Sequence, residues 1–172
     1  MQKGGNSNWS MADVSAKETT RRLAIAGGRI RVGEKAFRML EKGRMPKGDP
    51  LAMAEIAGIQ AAKQTPALIP LCHPISLNRV RVHQVLRPED NAVDVFCAAE
   101  IAEKTGVEME ALTGLSIALL TIWDLTKPVN AALEITQQRL LYKSGGKSGT
   151  WVHPDGLPSE VEALLESLQP NA

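Results

Sequence analysis

Aromatic side chains are scarce in this sequence. Its 172 residues include three Trp, two Phe and one Tyr, although 44% of the chain is hydrophobic. That hydrophobic content excludes an intrinsically disordered chain. Because aromatic residues normally supply large buried areas, the core must rely on Ala, Leu, Ile and Val. We therefore expect either close packing of backbones or a core completed by partner chains.

Cysteine is equally rare. Cys72 and Cys97 are too few for a domain held together by disulfides. No CxxC pair is present, which excludes a zinc ribbon and a thioredoxin-like motif, and no cysteine triplet is present for the cluster of a radical enzyme. We expect a reducing, cytoplasmic location.

Excess charge and long hydrophobic runs are also missing. Twenty Lys and Arg stand against nineteen Asp and Glu, for a net charge of +1, whereas a general nucleic-acid binder is usually strongly basic. Residues 1–10 lack the apolar core of a secretory signal. The uncharged stretch 111–123 is shorter than the roughly 20 residues of a bilayer span. We expect neither nucleic-acid nor membrane partners.

Hydrophobic periodicity predicts strands mixed with helices. Gly27 and Gly28 are expected to end or bend the first strand, Asp49-Pro50 to begin a helix, and 88–91 to form a hairpin turn. Because the order is not a strict alternation, we predict an α+β fold with helices on one face of a mostly antiparallel sheet. The predicted strands span 19–25, 79–83, 93–97 and 133–142, and the predicted helices span 34–42, 51–64, 107–127 and 159–168.

Asp124 and Lys127 lie three residues apart on the long helix, and hence on one face of it. The alternative to a functional role is an ordinary exposed ion pair, which contributes little to stability. The surrounding turn is mostly apolar, so we expect the pair to be partly buried. Burial displaces the pKa values of such a pair and suits it to proton transfer.

His73 lies in an apolar, proline-rich loop between Cys72 and Pro74. A histidine packed in the core is the ordinary alternative. A metal site is weakly indicated, because His83 and His153 show no ligand spacing. The proline and the apolar run would hold the imidazole still, as a binding or catalytic group requires.

The segment Lys143–Gly149 (KSGGKSG) could bind a phosphate, because its glycines expose backbone N–H groups and its lysines neutralise an anion. It is not a P-loop, since position 141 is Leu where that motif needs Gly. A mobile surface loop is the alternative, and both interpretations stay open from the residues alone.

Glu110 begins the same helix that carries Asp124. Its ordinary interpretation is a carboxylate favoured by the helix N-terminus. Fourteen residues at 1.5 Å each place Glu110 and Asp124 roughly 21 Å apart along a continuous helix. If both are functional, each site combines residues from two chains, or the helix is broken.

Seven strings of the sequence, in order, resemble one family. They are Asp13-Val14-Ser15 with Lys17, Lys47-Gly48-Asp49, 57–63 (AGIQAAK), 68–74 (LIPLCHP), 104–113 (KTGVEMEALT), Asp124 with Lys127, and Lys143–Gly149. From about Met11 to Gly149 the chain resembles the MoaC family, the cyclic pyranopterin monophosphate synthases of molybdenum cofactor biosynthesis. The resemblance implies 11–150 as the enzyme domain. Residues 1–10 are polar and predict a flexible segment, and 151–172 form an extension in which the spacing of Val161, Leu164, Leu165 and Leu168 predicts a short amphipathic helix. We expect that extension to pack on an oligomer surface or to bind a neighbour.

The resemblance also implies a fold, an assembly and a reaction. The fold would be ferredoxin-like, and the assembly a hexamer (a trimer of dimers) with sites at dimer interfaces. The reaction would convert 3′,8-cyclo-7,8-dihydroguanosine 5′-triphosphate into cyclic pyranopterin monophosphate and diphosphate. A separate radical enzyme would supply the substrate, in agreement with the missing cysteine triplet. No cofactor is implied, and any Mg²⁺ would arrive with the triphosphate.

The family's functional residues can be carried over by motif. The catalytic residues would be Asp124, Lys127 and Lys47, and the substrate-binding residues Leu71, Cys72, His73, Met109, Glu110, Lys143 and Lys147. Two departures concern the N-terminal segment: Met11-Ala12-Asp13 stands where the family usually has Met-Val-Asp, and an upstream His and Gly are missing. A binding or scaffold protein without turnover is the alternative of another class, and a metal hydrolase is a weaker third.

Overall fold

An antiparallel sheet of five strands forms the centre of the protein. The computed structural model describes residues 9–168, so most of the predicted flexible segment 1–10 lies outside the described residues. In chain order the elements are β1 (Thr20–Arg31), α1 (Glu34–Glu41), α2 (Pro50–Lys63), α3 (Thr65–Leu68), β2 (Arg79–Arg87), β3 (Ala92–Glu103), α4 (Glu108–Thr126), β4 (Glu134–Ser144), β5 (Trp151–Val152) and α5 (Ser159–Leu168).

The strand order is β2-β3-β1-β4-β5. The first four strands have the order of a ferredoxin-like β-α-β-β-α-β unit, and the predicted α+β class is confirmed. Gly27 and Gly28 do not end β1, which continues to Arg31, but the pairing of β1 with β4 shifts register between Gly27 and Arg29, an irregularity that fits the predicted bend. A Cβ at Gly28 would lie 3.0 Å from a methyl group of Leu119. Gly28 therefore lets α4 approach the middle of the sheet.

One face of the sheet packs against α2 and α4. Gly58 and Gly114 bring these two helices together, since a Cβ on Gly58 would lie only 2.9 Å from the Gly114 carbonyl oxygen. This contact is the close backbone packing that the shortage of aromatic residues predicts. The buried side chains of this core include Ala24, Ala26, Val95, Cys97, Leu115, Ala118 and Leu119.

The opposite face of the sheet packs against α5. Strand residues that alternate with those of the first core meet Val161, Leu164 and Leu168 of this helix. The predicted amphipathic helix is thus present, and it covers the second face of its own sheet, whereas the sequence predicts helices on one face. The strand residues of this second core are Leu23, Ile25, Phe96, Ala98 and Leu141.

Helix ends follow local signals. The Asp49 carboxylate accepts hydrogen bonds from the backbone N–H groups of Leu51 (2.9 Å) and Ala52 (3.2 Å), which begins α2 as predicted. The hairpin turn is a short 3₁₀ helix, Pro88–Asp90, closed by Asn91 in the left-handed region with φ 49°. Helix α2 ends at Lys63, within one residue of its predicted end, and Thr65-Pro66 begins the short helix α3.

Helix α4 is long and apolar enough to cross a membrane by length and composition, with a mean hydropathy of 1.2 over its apolar window. The uncharged stretch 111–123 alone is too short for a membrane span, but the whole helix of 19 residues is not. One side of α4 is buried against the sheet and α2. That packing is typical of a core helix.

Candidate active site

The sequence-predicted site residues form two groups at opposite ends of α4. The helix is continuous from Glu108 to Thr126. Glu110 lies in its first turn and Asp124 in its last, so about 21 Å of helix axis separates them. A broken helix, one of the two possibilities raised by the sequence, is excluded.

The group at the C-terminal end of α4 is Asp124 with two lysines. Lys127 Nζ lies 2.6 Å from Asp124 Oδ1, and Lys47 Nζ lies 3.4 Å from Asp124 Oδ2. The expectation of a partly buried pair is wrong for the single chain, because the side chains of Asp124 and Lys127 are 53% and 52% exposed. Ile122 and Thr126 occupy the buried face of this turn, which turns the pair outwards.

The two ammonium groups keep Asp124 ionised. The hydrogen bond from Lys127 is the main cause of a lowered pKa of Asp124, and the charges of Lys127 and Lys47 act in the same direction. A carboxylate and two ammonium groups within hydrogen-bond reach can both accept and donate a proton. This end of α4 is thus equipped for general acid–base chemistry.

The group at the N-terminal end of α4 lines a cavity of about 250 Å³. The loop before β2 supplies one wall, and the first turn of α4 supplies the other. All five substrate-binding residues predicted for these two segments lie on it. They are Leu71, Cys72, His73, Met109 and Glu110.

His73 is fixed by the N-terminal segment. Its Nε2–H donates a hydrogen bond of 2.8 Å to the carbonyl oxygen of Ala12, so Nδ1 is the ring atom left to a ligand. Ala12 stands where the Met-Val-Asp string of the sequence analysis has Val. Since its contribution is a backbone oxygen, the side-chain difference leaves this contact intact.

Glu110 is the buried carboxyl group of this cavity, with 3% of the residue exposed. Burial raises the pKa of Glu110, and the neighbouring charge of Glu108 adds to the effect. The Cys72 thiol has its pKa raised by burial and then by the charge of Glu110. The cavity therefore presents a desolvated carboxyl group and a neutral thiol, which suits recognition of N–H groups.

The loop Lys143–Gly149, called the lysine loop below, lies over the same end of α4. Lys143 Nζ donates a 3.0 Å hydrogen bond to Glu108 Oε1. Burial alone would raise the pKa of Glu108, but a backbone N–H bond and Lys143 together lower it. Gly106 and Glu108 line both the His73 cavity and a smaller one of about 140 Å³ beneath the lysine loop, so the two cavities are neighbours.

A third and larger cavity lies next to the one beneath the lysine loop. It has a volume of about 560 Å³, and the two share Arg22, Lys147 and Ser148. Three cationic side chains, Lys17, Arg22 and Lys147, and one acidic side chain, Glu18, line it. Arg22 also donates hydrogen bonds to the carbonyl oxygens of Glu103 (3.0 Å) and Lys104 (3.3 Å).

Sequence reasoning missed Arg22 as a site residue and quoted Lys17 only within a motif. Arg22 lies in the predicted strand, where nothing in the local pattern distinguishes it from the neighbouring Arg21. Only the pairing of β1 with β3 and the fold of the lysine loop bring it to the cavity.

Metal-ligating side chains do not cluster among residues 9–168. Within that part of the chain, no group of three or more His, Cys, Asp or Glu side chains is placed to hold an ion. His83 and His153 line none of these three cavities.

Comparison with known proteins identifies the family. The model of the MoaC family matches residues 11–146. A cyclic pyranopterin monophosphate synthase from Rhodospirillum rubrum is 45% identical over 144 residues, which cover 84% of this chain and 87% of the relative. One from Nocardioides sp. is 47% identical over 145 residues (84% and 89%), and the mitochondrial one from Arabidopsis thaliana is 48% identical over 141 residues (82% and 52%). The chain therefore belongs to the MoaC family, the cyclic pyranopterin monophosphate synthases, which are enzymes of molybdenum cofactor biosynthesis.

Proposed function

We propose that this enzyme converts 3′,8-cyclo-7,8-dihydroguanosine 5′-triphosphate into cyclic pyranopterin monophosphate and diphosphate. The observation that carries the proposal is the row of three neighbouring cavities from a buried carboxyl group to a chamber lined by lysine and arginine. A nucleoside triphosphate has the same order of parts, with N–H groups at one end and a polyanion at the other.

The cationic chamber would hold the triphosphate. Lys17, Arg22 and Lys147 surround it, and Lys143 lies between it and the base end. Lysine supplies a compact charge, and arginine a fork of N–H donors that matches phosphate oxygens. Neutralising the phosphates lets an internal hydroxyl attack the α-phosphate and stabilises the departing diphosphate.

The His73 cavity would hold the guanine-derived end. The buried Glu110 carboxyl group would accept hydrogen bonds from guanine-type N–H donors. His73, with Nε2 bound to Ala12, would use Nδ1 to orient the base or the sugar. Because the Glu110 carboxyl group is buried, a ligand that offers it an N–H group would be favoured over one that lacks that group.

Asp124 and Lys127 would be the general acid–base pair, with Lys47 as the second cation. Opening the purine-derived ring and rebuilding it as a pterin requires repeated proton transfers. An ionised carboxylate 2.6 Å from an ammonium group can perform them in both directions. Their exposure on one chain leaves room for a substrate and a partner chain to cover them.

The enzyme would act as a homo-oligomer, with each site shared between two chains. One substrate cannot contact both Glu110 and Asp124 of one chain across about 21 Å. A hexamer built as a trimer of dimers would place the Asp124 end of one chain beside the Glu110 end of its neighbour. Exposed apolar side chains on the outward faces of α2 and α4, namely Met53, Ile56 and Leu120, support contact with another chain.

The remaining partners depend on the substrate. A radical enzyme would supply the cyclic nucleotide, and any Mg²⁺ would enter with the triphosphate. A cytoplasmic location, proposed from the two unpaired cysteines, would give access to that nucleotide pool.

The test is to assay product formation by purified Asp124→Asn and Lys127→Ala variants after confirming their assembly. Removing a general acid or base is expected to lower kcat by about 100-fold or more. Glu34→Gln is the matched control, because it neutralises another exposed, ion-paired carboxylate, that of the Glu34–Arg38 pair. Wild-type turnover in either site variant would refute the assignment. Tight substrate binding by the wild-type protein without any product would instead favour a binding protein.

A further inference from the structure

The residues that follow the lysine loop, Trp151–Leu168, fold back on the strand that precedes it. The family model ends at residue 146, whereas the chain continues into β5 and α5. β5 pairs with β4 in the register Lys143↔Trp151 and Tyr142↔Val152, and His153 N–H adds a 2.9 Å bond to the Leu141 carbonyl oxygen. The lysine loop is therefore the turn of a hairpin between β4 and β5, and Lys143 lies in the last pair of that hairpin.

The loop lies directly on β1. A Cβ on Gly145 would overlap the carbonyl oxygen of Arg21, and one on Gly146 would lie 2.5 Å from the Arg22 guanidinium group. Both glycines have positive φ, 96° and 72°. This contact places Lys147 beside Arg22 at the cationic chamber.

β5 alone cannot hold the loop in this position. It has two residues, both exposed, and so short a strand pair is marginal in water. The support comes from the next helix in the chain, since Val161, Leu164 and Leu168 of α5 are buried on the sheet. Residues 153–158 connect β5 to α5, and the Arg139–Asp155 ion pair of 2.7 Å holds this connection to β4.

Both ends of α5 are attached to sheet arginines. Near its beginning, Glu160 pairs with Arg87 of β2, which also binds Asp94. At its end, the Leu168 carbonyl oxygen accepts bonds from Arg21 (2.8 Å) and Arg79 (2.9 Å). Arg21 is thus bound by the end of α5 through its side chain while the lysine loop lies on its backbone.

We propose that the segment Trp151–Leu168 is a clamp that holds the lysine loop, and with it Lys147, in position for the polyphosphate of the substrate. The proposal rests on the proposed function, in which Lys147 binds that polyphosphate. The residues of the clamp are positioning residues, because they reach the substrate only through the loop. A loop ordered in advance avoids an entropic cost that a free loop would incur on binding.

The test compares Leu164→Asp with Ala163→Asp. Both introduce one carboxylate into α5, but Leu164 is buried against the sheet and Ala163 is exposed. Leu164→Asp is expected to raise KM for the cyclic nucleotide about tenfold, because the freed loop must be ordered on binding, with kcat changed less than about twofold. Ala163→Asp is expected to match the wild type. Trypsin is expected to cut after Lys147 faster in Leu164→Asp than in Ala163→Asp.

A double-mutant cycle separates the clamp from general destabilisation. In a Lys147→Ala background, Leu164→Asp is expected to raise KM by less than about twofold, because the side chain that the clamp positions is already gone. A full tenfold rise in that background would show that α5 acts through something other than Lys147 and would overturn the clamp. If Leu164→Asp does not assemble, Leu164→Ala replaces it, with an expected rise of about threefold, and an unchanged KM overturns the proposal.

The cycle also separates this proposal from the proposed function. A raised KM for Lys147→Ala together with an unchanged KM for Leu164→Asp overturns the clamp alone. An unchanged KM for Lys147→Ala overturns the role of the loop in binding phosphate, and the clamp with it.

Discussion

The contact between α2 and α4 gives a prediction about stability, namely that Gly58→Ala destabilises the protein. Alanine is normally the better helix former, by about 1 kcal/mol. Here its Cβ would lie 2.9 Å from both the Gly114 carbonyl oxygen and a methyl group of Val82, and 3.2 Å from the Cβ of Ala118. The carbonyl oxygen belongs to α4 and can move only if that helix moves. Overpacking of this kind costs about 2–3 kcal/mol, so a net loss of about 1–2 kcal/mol is expected.

The measurement is urea unfolding at a fixed protein concentration, so that any oligomer contributes equally. Gln60→Ala and Gln60→Gly provide the control, because position 60 is exposed in the same helix. The difference between these two variants measures the helix propensity of Ala over Gly without a steric contact. If Gly58→Ala is as stable as the wild type or more stable, the proposed tight contact between the helices is refuted.

Two further predictions concern pH and buried carboxyl groups. Burial raises the pKa of Glu110 above 4.5. The contribution of Glu110 to stability is therefore present at low pH and is lost as the pH rises through the folded-state pKa. Glu110→Gln should stabilise the protein at pH 7, and this gain should vanish near pH 4. Although burial opposes the effect, Arg29 and Arg87 lower the pKa of Asp94 below 3.8, so its contribution is lost as the pH falls. Asp94→Asn should cost about 2 kcal/mol at pH 7, and this cost should shrink as the pH falls below 3.8. Urea unfolding at each pH checks both predictions. A Glu110→Gln gain that persists at pH 4, or an Asp94→Asn loss that does not shrink between pH 7 and acid pH, would contradict them.

Local chemistry explains which parts of the fold could be predicted from the sequence. The Asp49-Pro50 cap, the turn after β2 and the extent of α4 depend on neighbouring residues, and all three are confirmed. The continuation of β1 through Gly27 and Gly28 depends on side chains distant in sequence, Leu141 and Leu119. Strand β5 has too few residues to form a pattern, and only its pairing with β4 defines it.

The features of the candidate site also fall into those that could be predicted from the sequence and those that could not. The distance between Glu110 and Asp124 follows from helix geometry and could be calculated from the spacing alone. The exposure of Asp124 could not be predicted, because it depends on how α4 is rotated against the sheet. Arg22 was missed because the lysine loop reaches it only after β4 and β1 have paired.

Mixing subunits tests most directly whether each site is shared between two chains. Glu110→Ala and Asp124→Asn chains, each inactive alone, would be combined in equal amounts and allowed to exchange. In a symmetric dimer with shared sites, half of the dimers are mixed and each mixed dimer regains one of its two sites. Recovery of about a quarter of wild-type activity is therefore expected. No recovery despite demonstrated exchange would contradict the sharing of each site between two chains.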